Sequence, residues 1–280
     1  MSDQNIMRAT GLLVIEVINS NPNGDPDHES DPRQRPDDKG EITPVSFKRK
    51  LRDLVEDKEG PVWQAFASKF KLATEEFGIL EIRKSTLKEI RALAEKEFIS
   101  KYWDGRVFGN TELEKGRKIP VKTGVVQFGL GVSVAPIRIE RMTTTNPPVE
   151  GDKSVGMAPL GYRIVEHGIY CMPFFVNPSA AHKSGCTTKD IELMLALIPH
   201  AYAHSRSYVR PNVEILHAWF MEHKSPLGSC QDYKLIDALT PKKKQDTDKP
   251  SMSRNEYDIP PSLTEELKKK IATVKDLMES

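Results

Sequence analysis

The sequence predicts an α+β fold built around an antiparallel or mixed sheet, and three observations carry that expectation. Runs rich in Val, Ile, Leu and Phe at residues 11–18, 124–144, 162–176 and 212–223 are bounded by turn-forming residues, as strands are. Segments with apolar residues at helical spacing lie between some of these runs and are grouped, not alternated with every strand. The summed order is strand, helix, inserted helices, strands, hairpin, strand, helix, strand, which is the pattern of an α+β domain.

The first strand is GLLVIEVI, Gly11 to Ile18. A long polar loop packed with turn-formers follows, and it reads as flexible. Pro44 suits the first helical position with Thr43 as N-cap, so helix one is expected from Thr43 to about Glu56, with Val45, Leu51, Leu54 and Val55 as its apolar stripe. Gly60-Pro61 ends it. VWQAFASKFKLATEEF and STLKEIRALAEKEFISKYW are two further helical segments, the second capped by Ser85 or Thr86.

Asp104 to Gly109 reads as a short strand. Gly124 to Val134 reads as a longer one, with Gly124, Gly129 and Gly131 where bulges or close backbone approaches fit. Ile137 to Thr144 is extended, residues 146–156 form an exposed tip, and the chain returns as a long strand from Tyr162, so Arg138 to Ile169 suggest an extended hairpin. A helix capped by Thr187 or Thr188 follows, with Pro199 at the end of its regular part. NVEILHAWFMEH is a strand, YKLIDAL a short strand, and SLTEELKKKIATVKDLMES an amphipathic helix with Leu267, Ile271, Val274 and Leu277 on one stripe.

Composition narrows the class. The chain has 280 residues, 38% hydrophobic and 29% charged, ordinary values for a soluble protein. No apolar run approaches the roughly 18 residues a membrane span needs, and the N-terminus MSDQNIMRATG lacks a secretory signal. Cys171, Cys186 and Cys230 are an odd, scattered set that fits neither a disulfide framework nor a zinc site, so a reducing cytoplasm is expected. Net charge is only +1. Cations cluster locally instead, at 48–52, 115–122 and 242–244, the last in what reads as an exposed linker.

The row Lys48, Arg49, Lys50 and Arg52 opens a helix, where free N–H groups and the positive dipole end add to the side chains. An ordinary solvated face is the bland account; a phosphate-binding face is the sharper one. Asp25 and Asp27 offer hard oxygens to a metal, but they miss the EF-hand spacing, and Asn-Gly and Asp-Pro are above all turn chemistry. A conformational role is expected for them. Gly124, Gln127, Gly129 and Gly131 do not form a dinucleotide fingerprint, because no helix follows them. His200 and His204 stand at i, i+4 with no evident third ligand and read as surface or core histidines. No nucleophile, zinc-protease or phosphate-loop motif is present, and no cofactor is called for.

Strand one with NSNPNGDPD, a Pro-rich loop, ITPVSFKRKLR, and later VQFGLG, IERMTTT, HGIY and HSRS together resemble the backbone subunit of type I CRISPR Cascade complexes. The resemblance covers about Gly11 to His223 and is nearest the type I-C/I-B branch of the RAMP superfamily. It implies an RRM-like (ferredoxin-like) palm with an antiparallel sheet, a helical insertion and a long β-hairpin thumb. The chain then divides into the first palm unit at 1–60, the insertion at 61–103, palm strands at 104–137 and the thumb at 138–169. The rest of the palm follows at 170–240, with a linker and C-terminal helix at 241–280.

The implied function is a non-catalytic, cytoplasmic crRNA-binding subunit that stacks as a helical filament on the guide RNA, contacts other Cascade subunits, and presents the guide to target DNA. By resemblance, Ser46, Lys48, Arg49 and Arg52 grip the RNA backbone, and Asn21, Asn23, Gly24 and Asp25 form the signature loop beside it. Gln127, Phe128 and Gly129 match the palm strand the RNA crosses, Arg206 and Ser207 the Arg-Ser after the late helix. Within the 138–169 unit the projecting thumb runs from Arg141 to about Tyr162, with Met142 or Met157 as the wedge that splays a base. This chain departs from the family pattern at Gly124-Val125-Val126-Gln127 and after Arg206-Ser207. The alternative is a metal-dependent endoribonuclease of the same superfamily, using acidic residues of the 19–40 loop such as Asp25, Asp27, Asp37 and Asp38.

Overall fold

The computed structural model describes residues 6–80, 95–109, 123–145 and 159–279. Its centre is strand β1, Ala9–Ser20. The run is apolar on both faces because both are covered: Leu13, Ile15 and Val17 join the main core, while Leu12 and Val14 join a second one behind the sheet. Strand β2 (Lys39–Ile42) leads into helix α1 (Pro44–Glu56), with Thr43 as N-cap and Pro44 at the first turn, as expected. Phe47, Leu51 and Val55 are the fully buried stripe of α1. Helix α2 (Pro61–Phe70) follows, then α3 (Glu95–Lys101) and α4 (Trp103–Phe108). The proposed caps Ser85 and Thr86 lie outside the described residues.

Strands β3 (Val126–Phe128), β4 (Gly131–Pro136) and β5 (Ile139–Thr145) then line up along one long strand, β6 (Pro159–Val176). Helix α5 (Thr188–Leu197) carries a full capping box from Thr187 and Asp190, and a 3-10 turn containing Pro199 ends it. Strand β7 (Val213–His223), helix α6 (Asp232–Leu239) and strand β8 (Ile271–Asp276) complete the main elements.

The result is a mixed α/β architecture around an eight-stranded sheet of order β8-β7-β1-β6-β4-β2, with β3 and β5 also paired to β6. Its ladders are antiparallel. Strand β6 is the seam. It pairs with β1 from Val165 to Val176, while its first residues, Pro159 to Ile164, pair only with β5. The two arms of the expected hairpin therefore run past the end of β1, and the tip at 146–158 lies outside the described residues. Gly11 has a packing reason: a Cβ there would collide with the Phe174 ring.

Four expectations are corrected. Residues 104–108 are helix, not strand, because helical geometry lets neighbouring side chains reach opposite partners: Asp104 bonds Arg52, and Arg106 bonds Asp190. YKLIDAL is helix α6; Leu235 and Leu239, four apart, are both fully buried against the rear of the sheet. The C-terminal segment makes only a single turn, Glu265–Lys268, before β8 pairs with the free edge of β7. There β-branched Ile271, Thr273 and Val274 gain ladder hydrogen bonds, and that outcompetes a helix carrying three successive lysines.

The loop after β1 is built rather than flexible. Asn23 Oδ1 accepts from both the backbone N–H and the hydroxyl of Thr43, each at 2.8 Å, and Asn21 Nδ2 donates to Ser30 O at 2.8 Å. No helix of the described residues is long and apolar enough to cross a membrane.

Candidate nucleic-acid interface

The basic row on α1 does not form one cationic face, because a helix turns about 100° per residue. Lys48 and Arg52 point toward the helical layer, with Lys48 Nζ and the Arg52 guanidinium each 5.3 Å from the Phe108 ring centre. Arg52 is buried and donates from Nε to Asp104 Oδ2 at 2.9 Å, while Asp104 Oδ1 accepts from Leu80 N–H. Its expected place on a phosphate-facing surface is corrected: burial and the Asp104 carboxylate make it a structural cation. Arg49 spans Asp53 and Glu56 on its own helix. Ser46 N–H is taken by the Thr43 cap.

Lys50, the member of the basic row to which the resemblance assigns no role, is the cation of α1 aimed at the loop side. It is buried, its Nζ lies 5.2 Å from the Tyr202 ring, and no hydrogen bond or carboxylate satisfies it among the described residues. Burial first, and then the charge of Arg210, push its amine down to about 8, with Asp53 partly opposing. Its i+4 relation to Ser46, on the face that the Asn23–Thr43 tie brings to the loop, is the signal sequence reading missed.

Beyond that lysine, three segments meet at the base of the hairpin: the loop 21–34, the paired arms of β5 and β6, and the turn 206–210. Two cavities open between them. One of 480 Å³ is walled by Asn21, Gly24, Glu29, Arg141, Tyr162 and Arg210 among others. The other, of 430 Å³, is walled by Asp25, His28, Gln34, Arg141 and Arg163. Arg163 pairs with Asp31, fastening the returning arm to the loop. Arg210 donates from Nε to Asn21 O at 2.9 Å, fastening the turn to the same loop.

Tyr162 and Tyr208 meet edge-on with ring centres 5.2 Å apart, and Tyr208 stays 62% exposed. Arg141 makes no hydrogen bond or ion pair among the described residues and faces both cavities. The site thus offers unneutralised guanidinium groups beside exposed aromatic faces, the chemistry that holds phosphates and stacks bases.

The Asp25 carboxylate caps the short turn after it, accepting from Asp27 N–H, and contacts His28 and Arg33. Desolvation pushes it up, but those donors and charges outweigh that and hold it below the usual carboxylate range. Among the described residues no group of three His, Cys, Asp or Glu side chains stands together as a metal site. His200 packs on Phe66 at 5.5 Å and on His204 at 5.9 Å.

The structure therefore gathers Asn21, Gly24, Asp25 and Arg141, with Asn23 buried as the tie just behind them. Arg206 and Ser207 are exposed at the adjoining turn, with Arg206 on Glu214 at 3.0 Å, and Met142 is 42% exposed on the outgoing arm. Met157 lies outside the described residues.

Gln127, Phe128 and Gly129 are elsewhere. Phe128 pairs with Phe174 and Arg141 with Arg163, eleven positions apart along β6, roughly 35 Å at strand rise. Phe128 is also buried between Phe47 and Phe174, and Gly129 lets the strand pass Pro173. The side chain of Gln127 points to solvent. Tyr162, Arg163, Tyr208, Arg210 and Glu29 are not among the expected site residues. Glu29 comes with the loop, while long-range pairing brings the other four to it, and no local spacing announces them.

A family model for the CRISPR-associated protein Cas7 matches residues 7–261. Among solved structures, a chain of a "CRISPR RNA-guided surveillance complex, pre-nicking" is similar at 12% identity and TM-score 0.46, over 76% of this chain and 77% of that one. A chain of a "CRISPR RNA-guided surveillance complex" is similar at 16% identity and TM-score 0.38, over 75% and 68%. No curated protein matches by sequence.

Proposed function

Because the chain belongs to the CRISPR-associated Cas7 family, we propose that it is the non-catalytic crRNA-binding backbone subunit of a type I surveillance complex. In this reading copies of the chain polymerise along the guide RNA in the cytoplasm, contact the other subunits, and present the guide for pairing with target DNA. The sheet is the RRM-like palm, and the β5–β6 arms are the stem of the thumb.

One observation carries the reading: Arg141 and Arg210 stand without carboxylate partners beside Tyr162 and Tyr208 at the base of a long hairpin. Guanidinium groups take phosphates of any sequence, and tyrosine faces stack any base, so base edges remain free to pair, as a variable guide requires. A net charge near zero is compatible with this, since stacking subunits makes a local cationic stripe continuous along the polymer. The open-sheet mode of RNA recognition does not fit, because Tyr257, Leu263 and α6 cover the rear of the sheet. RNA therefore runs along loops and hairpin.

Expression of the full chain with its repeat array tests the proposal. A discrete guide-length RNA should copurify, and purified protein should bind single-stranded RNA with strong salt dependence. Protein that purifies free of RNA and does not bind it at low salt refutes the reading.

A further inference from the structure

The 480 Å³ cavity contains more than cations. Two acidic residues stand in its wall, Glu29 and Asp31. Asp31 is neutralised by Arg163. Glu29 is exposed and has no hydrogen bond or ion pair among the described residues. Its backbone is left-handed, at φ 50°, and so is that of Ser30, at φ 64°. The turn is pinned there, since Ser30 N–H donates to Asp25 O at 2.8 Å and Ser30 O accepts from Asn21 Nδ2. A free carboxylate is thus held in a cleft whose other unneutralised groups, Arg141 and Arg210, suit phosphate.

Such a carboxylate opposes a polyanion unless the polymer brings a donor to it. Among natural single strands the donor next to a phosphate is the ribose 2′-hydroxyl, which RNA has and DNA lacks. The volume is that of a small-molecule site and admits one nucleotide unit. We propose that this cavity reads the sugar of the bound strand: Glu29 accepts a hydrogen bond from a 2′-hydroxyl while Arg141 and Arg210 hold the adjoining phosphate, which makes the chain select RNA over DNA. The inference rests on the RNA-binding reading above.

The test uses the full chain and one single-stranded sequence made as RNA, as DNA and as 2′-O-methyl RNA, with affinities measured by fluorescence anisotropy at fixed salt. The methylated strand keeps RNA-like sugar pucker but has no 2′-OH donor, so it separates hydrogen bonding from strand shape. Wild type should bind RNA about tenfold tighter than either analogue, the scale of one charge-assisted hydrogen bond at a partly solvated site. Glu29→Gly, which suits the left-handed backbone, should bring the three affinities to within about twofold. Glu29→Gln should strengthen DNA binding by removing the repulsion, while the amide oxygen retains part of the preference for the free hydroxyl. An unchanged preference in Glu29→Gly, with RNA still bound, overturns the assignment of Glu29. Wild-type protein that binds none of the three strands overturns the RNA-binding reading itself.

Discussion

Replacing Arg52 separates the structural reading of α1 from the phosphate-gripping one. The Arg52 and Asp104 side chains are 4% and 1% exposed, and their contact is 2.9 Å. Removing the guanidinium leaves a buried carboxylate with its backbone donor, Leu80 N–H, at 2.7 Å. Breaking one side of such a pair costs about 3–5 kcal/mol. At about 2–4 °C per kcal/mol, Arg52→Met should melt about 6–20 °C below wild type.

Adding Asp104→Asn removes the carboxylate charge that Arg52 balances yet keeps an oxygen for Leu80 N–H, so the double variant should recover part of the loss. Thermal unfolding measures this, with RNA binding across a salt series as the companion assay. The RNA salt slope should be unchanged in the double variant. A melting point equal to wild type, with a shallower salt slope, would refute the reasoning and return Arg52 to the RNA.

Other perturbations address the interface directly. Arg141→Ala should weaken binding to all RNA sequences alike and reduce the salt slope by about 1 without moving the melting point. Tyr208→Ala should weaken RNA binding by about 1–3 kcal/mol, whereas Tyr208→Phe keeps the stacking face and should bind nearly as wild type. Lys50 yields a pH test. Its amine is lowered from 10.5 to about 8, so the folded state binds fewer protons than the unfolded state between those values, and stability rises with pH through that window. Lys50→Met should therefore raise stability near pH 7 by up to ~3 kcal/mol and flatten the rise above pH 8 that wild type shows. Lys58, also lowered to about 8 by burial, contributes in both proteins and cancels in the comparison.

Local chemistry made part of this molecule legible from its sequence. Thr43-Pro44 marked the start of α1, Thr187 marked α5, and a doubly apolar run marked a strand covered on both sides. Where two local readings competed, tertiary pairing decided: Ile271 and Val274 fit a helical stripe as well as a strand, and the unpaired edge of β7 selected the strand. Polar pairing across long separations was invisible. Arg52 reads as a surface cation until Asp104 is placed beside it, and nothing local ties Arg106 to Asp190. The motif NPNGDPD lies in the loop that walls the two cavities, but its asparagines act through Ser30 and Thr43, and the arginines and tyrosine that complete the walls come from β5, β6 and the turn after His204.

Strand β6 links the stem of the hairpin to the middle of the sheet without a break, and this determines how the chain bears mechanical load. A pull along the hairpin is transmitted down one backbone and meets eleven paired positions of β1, from Ser20 to Ala9, lying side by side. Their hydrogen bonds run across the direction of pull, so they resist together in shear instead of opening one at a time. A sideways push meets no such resistance above Val165, where β1 stops and only β5 remains beside β6. The stem is accordingly stiff to tension and compliant to bending, with its pivot next to Arg163, which clasps the loop, and Tyr162, which packs on Tyr208.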